Sequence, residues 1–425
     1  MTPLYRKITL RVVPFLMVLY MVAFLDRVNI SFAALTMNRD LGISESLYGF
    51  AAGVFFVGYC LFEVPANLIL ERVGARRWLG LLMIVWGVVS VGTAFVDSRT
   101  EYIVARCLLG VAEAGFFPGL IFYLTLWLPR PVRSRLMALF LLSLPVCNSI
   151  GSPISSHILL LNGLMGLRGW QWVFILEAVP AILLGFLTWV VLADGPQKAS
   201  WLSPAEKEDL ASELGDGAPA GHAPIHSSSI QHSPIQWMSS QVAWDSMVYL
   251  MLQIGIYGLN FWLPKMLAAE GVATADTGWW AMLPYGAGAV ALVTVSRATG
   301  RWWLISLYIT SAAGFAGAAL SRGLAGTVIA FSISTMAMYA SLPLFWGAST
   351  ARMSNKAAGA SIAAVNSIGV TGGFAGPYAM GWLRDATHSY SAGLWAIAAC
   401  LAIGAVLVHG AQRNAGIRTS GIKAS

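Results

Sequence analysis

The sequence predicts an all-α membrane protein of twelve transmembrane helices in two six-helix, pseudo-symmetric bundles. Three observations point there. The chain of 425 residues is 57% hydrophobic and only 11% charged, against roughly 25% charged in ordinary soluble domains. Windows of about 20 apolar residues, enough to cross roughly 30 Å of hydrocarbon, recur along its whole length. Finally, Asn148-Ser149-Ile150-Gly151 returns letter for letter as Asn366-Ser367-Ile368-Gly369. A weaker echo links Gly74-Ala75-Arg76-Arg77-Trp78 to Gly300-Arg301-Trp302-Trp303. Two echoes at nearly equal offsets indicate a duplicated unit.

Taken in order, the apolar windows place spans at about 12–35, 48–70, 78–96, 102–127, 136–160 and 172–193 in the first half. In the second half they fall at about 242–266, 278–296, 302–321, 325–349, 358–383 and 391–410. Between the halves the composition turns polar, with Gly215-Asp216-Gly217, Pro219, Pro224 and Ser227-Ser228-Ser229. The expected organisation is therefore a bundle over 1–193, a solvated linker over 194–241 with a short helix at 203–214, and a second bundle over 242–425 with a short tail. The basic start of Arg6, Lys7 and Arg11 precedes a stretch of span length, so the segment is expected to stay as the first helix.

Orientation follows from the bases. Of the 26 Lys and Arg residues, Arg39, Arg99, Arg168, Lys265, Arg322 and Arg384 fall in loops on one side and Arg27 and Arg106 inside spans. The other 18 or so gather on the side of the termini. By the positive-inside rule both termini are cytoplasmic, and the location expected is the cell inner membrane. The net charge of +7 is thus topology, not a nucleic-acid footprint.

Four charged side chains interrupt the spans. Asp26 and Arg27 sit in the first, Arg106 and Glu113 in the fourth. A charge at the centre of a membrane helix costs about 2.5 to 3.5 kcal/mol on insertion scales, so such residues persist where they line a polar cavity or pair. Arg106 and Glu113, seven residues apart, lie about 20° apart around a helix and roughly 10.5 Å along it. They share a face. Counting turns from opposite ends puts the Arg27 and Arg106 guanidiniums at similar depth, with Glu113 nearer the midplane. Arg27 suits bidentate reception of a carboxylate. Arg106 is expected to help bind an anion or to hold Glu113, and Asp26 and Glu113 are the candidate proton sites. A purely structural ion-pair network is the competing reading of all four.

Polar and aromatic side chains elsewhere are candidates to finish a cavity. Asn148 and Asn366 lead, because buried amides need partners and both sit in Gly- and Pro-interrupted helices. Tyr257 and Asn260 are further candidates for substrate contact, with Tyr59, Ser152, Trp262, Phe345, Trp346 and Ser367 behind them, though packing or belt placement competes for the aromatics. Glu63 reads as a structural partner, Glu177 as a cap near a span end, and Trp170 and Trp172 as interfacial belt residues. The short loop of Glu71, Arg72, Gly74, Arg76 and Arg77 reads as a charge latch on neighbouring helix ends.

These segments resemble the major facilitator superfamily, and within it the anion:cation symporters that take up organic acids. The resemblance rests on Phe24-Leu25-Asp26-Arg27-Val28-Asn29, Tyr59-Cys60-Leu61-Phe62-Glu63-Val64-Pro65-Ala66-Asn67 and Glu71-Arg72-Val73-Gly74-Ala75-Arg76-Arg77. It rests equally on Arg106 to Gly115 and on Gly372-Gly373-Phe374-Ala375-Gly376-Pro377. It covers nearly all of the chain outside the linker and is nearest to bacterial tartrate, phthalate and hydroxyphenylacetate carriers. It implies a monomeric secondary transporter that imports an organic carboxylate with a proton, or with sodium in its place, by alternating access. It also implies that Asp26 and Glu113 carry the coupling proton. One departure stands out, since members of the family carry an Asp-Arg pair after the eighth span and this chain has Val295-Ser296-Arg297-Ala298.

The alternatives are weaker. Enzymatic motifs such as H-E-x-x-H or a G-x-G-D aspartate pair are absent, as is a P-loop, and three of the six histidines lie in the linker. Cys60, Cys107, Cys147 and Cys400 form no C-x-x-C pair, so no metal or other cofactor is expected. The rival is a proton-coupled drug or metabolite exporter of the same fold. A cation exporter would favour acids without Arg27 and Arg106.

Overall fold

The computed structural model describes residues 3–214, 239–295, 298, 300–353 and 358–421. The stretch 215–238, where most of the expected linker falls, lies outside the described residues, as do Ser296 and Arg297 after the eighth span. Among the described residues the regular elements are all helices. In the first half, α1 (Pro3–Val28) and α2 (Ile30–Asp40) run on as one crossing of 38 residues. They are followed by α3 (Glu45–Val73), α4 (Ala75–Thr93), α5 (Arg99–Glu113) with α6 (Phe116–Thr125), α7 (Arg130–Ile158) and α8 (Gly169–Val191). A short α9 (Pro204–Leu214) lies beyond the sixth crossing. The second half comprises α10 (Ser240–Ala269), α11 (Thr274–Val295), α12 (Arg301–Leu320), α13 (Leu324–Arg352), α14 (Ala358–Val370) with α15 (Gly372–Thr387), and α16 (Ser391–Gly421).

Eleven of these crossings, two of them interrupted briefly, one at Asn29 and one at Ala114 and Gly115, are long and apolar enough to span a bilayer. The eleventh in chain order is instead broken at Thr371 into pieces of 13 and 16 residues. Most helices outrun their apolar windows, α1 beginning at Pro3 rather than near residue 12. Helical hydrogen bonding continues through the polar ends because Ser44, Ser98 and Ser239 cap the first turns of α3, α5 and α10. Large apolar side chains such as Leu61, Val64, Leu183, Val190, Val290 and Val406 stay more than 50% exposed, a surface tolerable only against lipid.

The halves meet most extensively along two seams, α3 against α15 and α7 against α11, with a smaller contact of α2 on α10. At the first, Gly49 and Gly53 let α3 approach so closely that a Cβ at either would overlap Pro377 or Phe374. Hydrogen bonds across the halves concentrate at the face opposite the N-terminus. Tyr48 Oη donates to the Phe261 carbonyl at 2.6 Å. Asp385 accepts the backbone N–H groups of Glu45 and Ser46 at 3.2 and 2.8 Å, and Lys265 pairs with Glu45. Among the described residues, the cross-half hydrogen bonds closest to the N-terminal face are those of Ser367 with Glu63 and Cys60.

The sequence echoes become equivalent packing. Gly74 and Gly300 both have positive φ, +86° and +103°, directly before α4 and α12. Gly151 packs its bare Cα on Leu25 of the first crossing, and Gly369 does the same on Tyr249 of the seventh.

Candidate functional site

The charged residues converge within the first bundle. Asp26 on α1 is wholly buried and accepts hydrogen bonds from Ser90 Oγ of α4 at 2.5 Å and from Asn29 Nδ2 at 3.1 Å. Its Oδ2 has no partner among the described residues. One residue on, Arg27 reaches α5 and donates from Nη2 and Nε to Glu113 Oε2 at 2.6 and 3.1 Å. The Arg27 side chain is 17% exposed and Glu113 1%, so water reaches this pair from the arginine side.

Glu113 is the last residue of α5, directly before a break in the crossing. α5 ends at Glu113 and α6 starts at Phe116, with Gly115 at φ +81° between them. A side chain there would meet both a left-handed backbone and the Ala66 Cβ at 2.7 Å.

Arg106 is the outlier. It is fully buried, and Nε, Nη1 and Nη2 all lack a hydrogen-bond partner among the described residues. Its guanidinium carbon lies 5.3 Å from the centre of the Phe55 ring, and that of Arg27 lies 5.0 Å from the same ring. The similar depth expected from helix counting is therefore present. Glu113, which shares a helix face with Arg106, is held by Arg27 instead.

Neutral groups line the contact between the halves. Asn148 Nδ2 on α7 points at Asn260 Oδ1 of α10 at 3.5 Å and at Tyr339 Oη of α13 at 3.3 Å. Tyr257 is buried with its ring 4.5 Å from that of Phe56, close enough to Arg27 to interact electrostatically. Asn366, half-buried on α14, makes no hydrogen bond among the described residues, so no polar contact brings it to the cluster. Its neighbour Ser367 instead donates to Glu63 Oε2 at 3.3 Å.

In the loop of Glu71, Arg72, Gly74, Arg76 and Arg77, Arg76 reaches the end of α8, donating to the Trp189 carbonyl and lying 3.5 Å from Asp194. Trp189 Nε1 returns a bond to the Arg77 carbonyl at 3.2 Å. Glu71 and Arg72 enter no ion pair among the described residues.

Two expectations need correction. Glu177 does not cap a span end: it is 3% exposed, accepts from Ser155 Oγ at 2.5 Å, and sits two turns inside α8, where the register of the helix points it inward. Trp170 is 1% exposed, packed inside the protein rather than in a lipid-facing belt, and its Nε1 donates to Asp40 Oδ2 at 3.1 Å. Sequence reading also missed Ser90 and Tyr339. Ser90 is a lone hydroxyl in an apolar span and carries no signal, whereas Tyr339 lies in a run of small and aromatic residues before Pro343.

A family model described as "Major Facilitator Superfamily" matches residues 16–377. The chain belongs to the major facilitator superfamily. As a member of the superfamily it is a membrane transporter and not an enzyme. A protein of Agrobacterium vitis named "Putative tartrate transporter" is 43% identical over 95% of this chain and 90% of its own length. A "Quinolone resistance transporter" of Acinetobacter baumannii is 34% identical over 95% of this chain and 94% of its own. Among solved structures, a bacterial homologue of the human lysosomal transporter Spinster, inward-facing and unoccupied, superposes with a TM-score of 0.76 over 97% of this chain and 98% of that one. At 16% identity that likeness carries the superfamily fold alone.

Proposed function

We propose that the protein is a secondary transporter that imports an organic carboxylate anion together with a proton. The observation that carries this reading is Arg106, a buried guanidinium with no hydrogen-bond partner among the described residues, stacked on the ring that Arg27 also uses. Two cations facing one ring are relieved by an anion between them. A carboxylate fits, since each guanidinium presents a planar donor fork.

Coupling follows from Glu113. While its carboxylate is ionised, Arg27 is engaged at 2.6 Å. A proton on Glu113 weakens that pair and frees Arg27 for the substrate, so proton and anion load together and leave together. Asp26 supplies a second acid behind the pair. Asn148, Asn260, Tyr257 and Tyr339 offer neutral donors and acceptors from both halves, suited to hydroxyls or a second carboxylate of a tartrate-like acid. The bases of the loops favour a cytoplasmic N-terminal face, which makes the closed end external and the conformation inward-facing. We place the divisions between bundles at 193 and 242, with 194–241 as a cytoplasmic connection.

The relative named for quinolone resistance favours one rival, proton-driven export of a drug. Proteoliposomes given labelled tartrate and a panel of mono-, di- and aromatic carboxylates, with and without an inward pH gradient, separate the two. The expected result is accumulation of at least one carboxylate that collapses with the gradient. Gradient-driven extrusion of a quinolone with no carboxylate uptake would replace the proposal with the rival.

A further inference from the structure

Glu177 is a buried acid with no part in the exchange between Glu113, Arg27 and the anion. Its Oε1 accepts from Ser155 Oγ of α7 at 2.5 Å, and its Oε2 has no partner among the described residues. Asp26 is in the same condition, with Oδ1 taken by Ser90 and Asn29 and Oδ2 unpartnered. Asn29, which bonds to Asp26, and Ser155, which bonds to Glu177, line one small cavity, and the two acids are close enough to interact electrostatically. Asn29 Oδ1 is itself a buried acceptor without a donor. Three oxygens therefore lack a hydrogen in one cluster. Among the described residues neither acid is in ion-pair contact with a base.

A cavity of about 10 Å³, the room of one water, touches this cluster at Asn29 and Ser155 and extends to Asn148 and Asn260 between the halves. The charged and titratable groups around the pair are few. Arg27 and Tyr20 come from α1, Arg106 and Glu113 from α5, and Cys147 from α7, while α4 contributes the neutral Ser90. Around this cluster three buried acids, Asp26, Glu113 and Glu177, thus face two bases, the buried Arg106 and the partly exposed Arg27. This set is neutral when one acid keeps a proton. Glu113, bonded twice by Arg27, is the poorest host for that proton, which leaves Asp26 and Glu177.

We propose that Asp26 and Glu177 form one two-carboxyl proton site, sharing a proton in the empty carrier and taking a second as the anion loads. A proton on either free oxygen supplies the missing donor of the cluster. The second is taken up on the external side and released to the cytoplasm with the anion, through the cavity between the halves. Either acid alone can then carry the transported proton when the other is neutralised. The inference rests on the proton-symport reading and adds a site to it.

The test is the proton-to-anion ratio, read from the reversal potential in proteoliposomes. Asp26→Asn and Glu177→Gln should each keep the wild-type ratio, and Asp26→Asn/Glu177→Gln should lower it by one proton. A full drop in Asp26→Asn alone, with no further loss in the double variant, would overturn the shared site while leaving symport intact. Transport by the wild-type protein without proton movement would instead sink symport and this site together. Should the double variant fail to fold, infrared difference spectra of the empty wild-type carrier and Glu177→Gln decide. The protonated-carboxyl band is expected in the wild type and lost in the variant. A band unchanged by Glu177→Gln removes Glu177 from the site.

Discussion

The two bundles share a backbone plan and divide the chemistry. Gly151 and Gly369 pack on Leu25 and Tyr249 of the first helix of their own half, at equivalent places. The next two residues differ, Asp26-Arg27 in one half and Leu250-Met251 in the other. The first bundle buries acids and guanidiniums, while the second offers Asn260, Tyr257, Tyr339 and the stacked pair Tyr249 and Phe345, with rings 5.1 Å apart. In the second half the charge lies toward the helix ends, with Asp245 paired to Arg352 at one face and Lys265 to Glu45 at the other. The two scaffolds thus carry different interiors, and among the described residues the buried charges at the depth of Arg27 and Arg106 belong to the first. A polar but uncharged partner can recognise hydroxyls without competing for the proton.

The sharpest way to break this comparison is Arg27→Lys. Lysine keeps the charge but cannot present Nε and Nη2 to one carboxylate oxygen, so uptake should fall by about tenfold or more. Near wild-type uptake would reduce Arg27 to a structural base. Neutral groups should matter less, and equally on both sides of the seam. Asn148→Ala and Asn260→Ala should each raise the half-saturating concentration several-fold, about 1 kcal/mol per lost hydrogen bond, with little change in maximal rate. A loss confined to one of the two would mean that the halves do not contribute alike.

Packing offers a finer contrast. Gly151→Ala meets the mobile end of Leu25, whereas Gly369→Ala meets the ring of Tyr249, pinned by Phe345. Thermal unfolding should show Gly369→Ala destabilised by about 1 to 3 kcal/mol and Gly151→Ala by clearly less. The reverse order would mean that Leu25, not Tyr249, is the rigid neighbour. The smallest effect belongs outside the membrane. Lys7 donates to Glu206 of α9 at 2.7 Å and holds that carboxyl below its ordinary range. A depressed acid contributes above its unfolded pKa and loses the contribution as pH falls through the lowered folded value. Acidifying from pH 7 to 5 should therefore leave the small difference in melting temperature between wild type and Glu206→Gln unchanged. A difference that varies within that window would show that the contact works otherwise.

Much of the fold was legible because bilayer thickness fixes span length and the hydrocarbon excludes charge. All twelve crossings follow from that, and Gly74 and Gly300 repeat in geometry as they do in letters. The convergence of Asp26, Arg27, Arg106 and Glu113 was also readable, since charges inside spans have to face inward. Pairing was not. Helix arithmetic puts Arg106 and Glu113 on one face but cannot show that Arg27 of α1, and not Arg106, bonds to Glu113. Nor does a sequence reveal that Glu177, two turns into α8, is buried against Ser155 rather than capping a span end. Asn366 shows the opposite failure, because its letter-for-letter twin Asn148 bridges the halves while it makes no hydrogen bond among the described residues. Identical motifs diverged with the partners that face them.

The central claim is that the proton on Glu113 decides whether Arg27 is free for the anion. Glu113→Gln mimics the permanently protonated acid in nearly the same shape. Reconstituted with an imposed pH gradient and assayed beside counterflow exchange, it should accumulate clearly less anion for the same gradient, because the proton at this site is no longer carried, while exchange across the membrane persists. Undiminished accumulation by Glu113→Gln would contradict the account and move the coupling proton elsewhere.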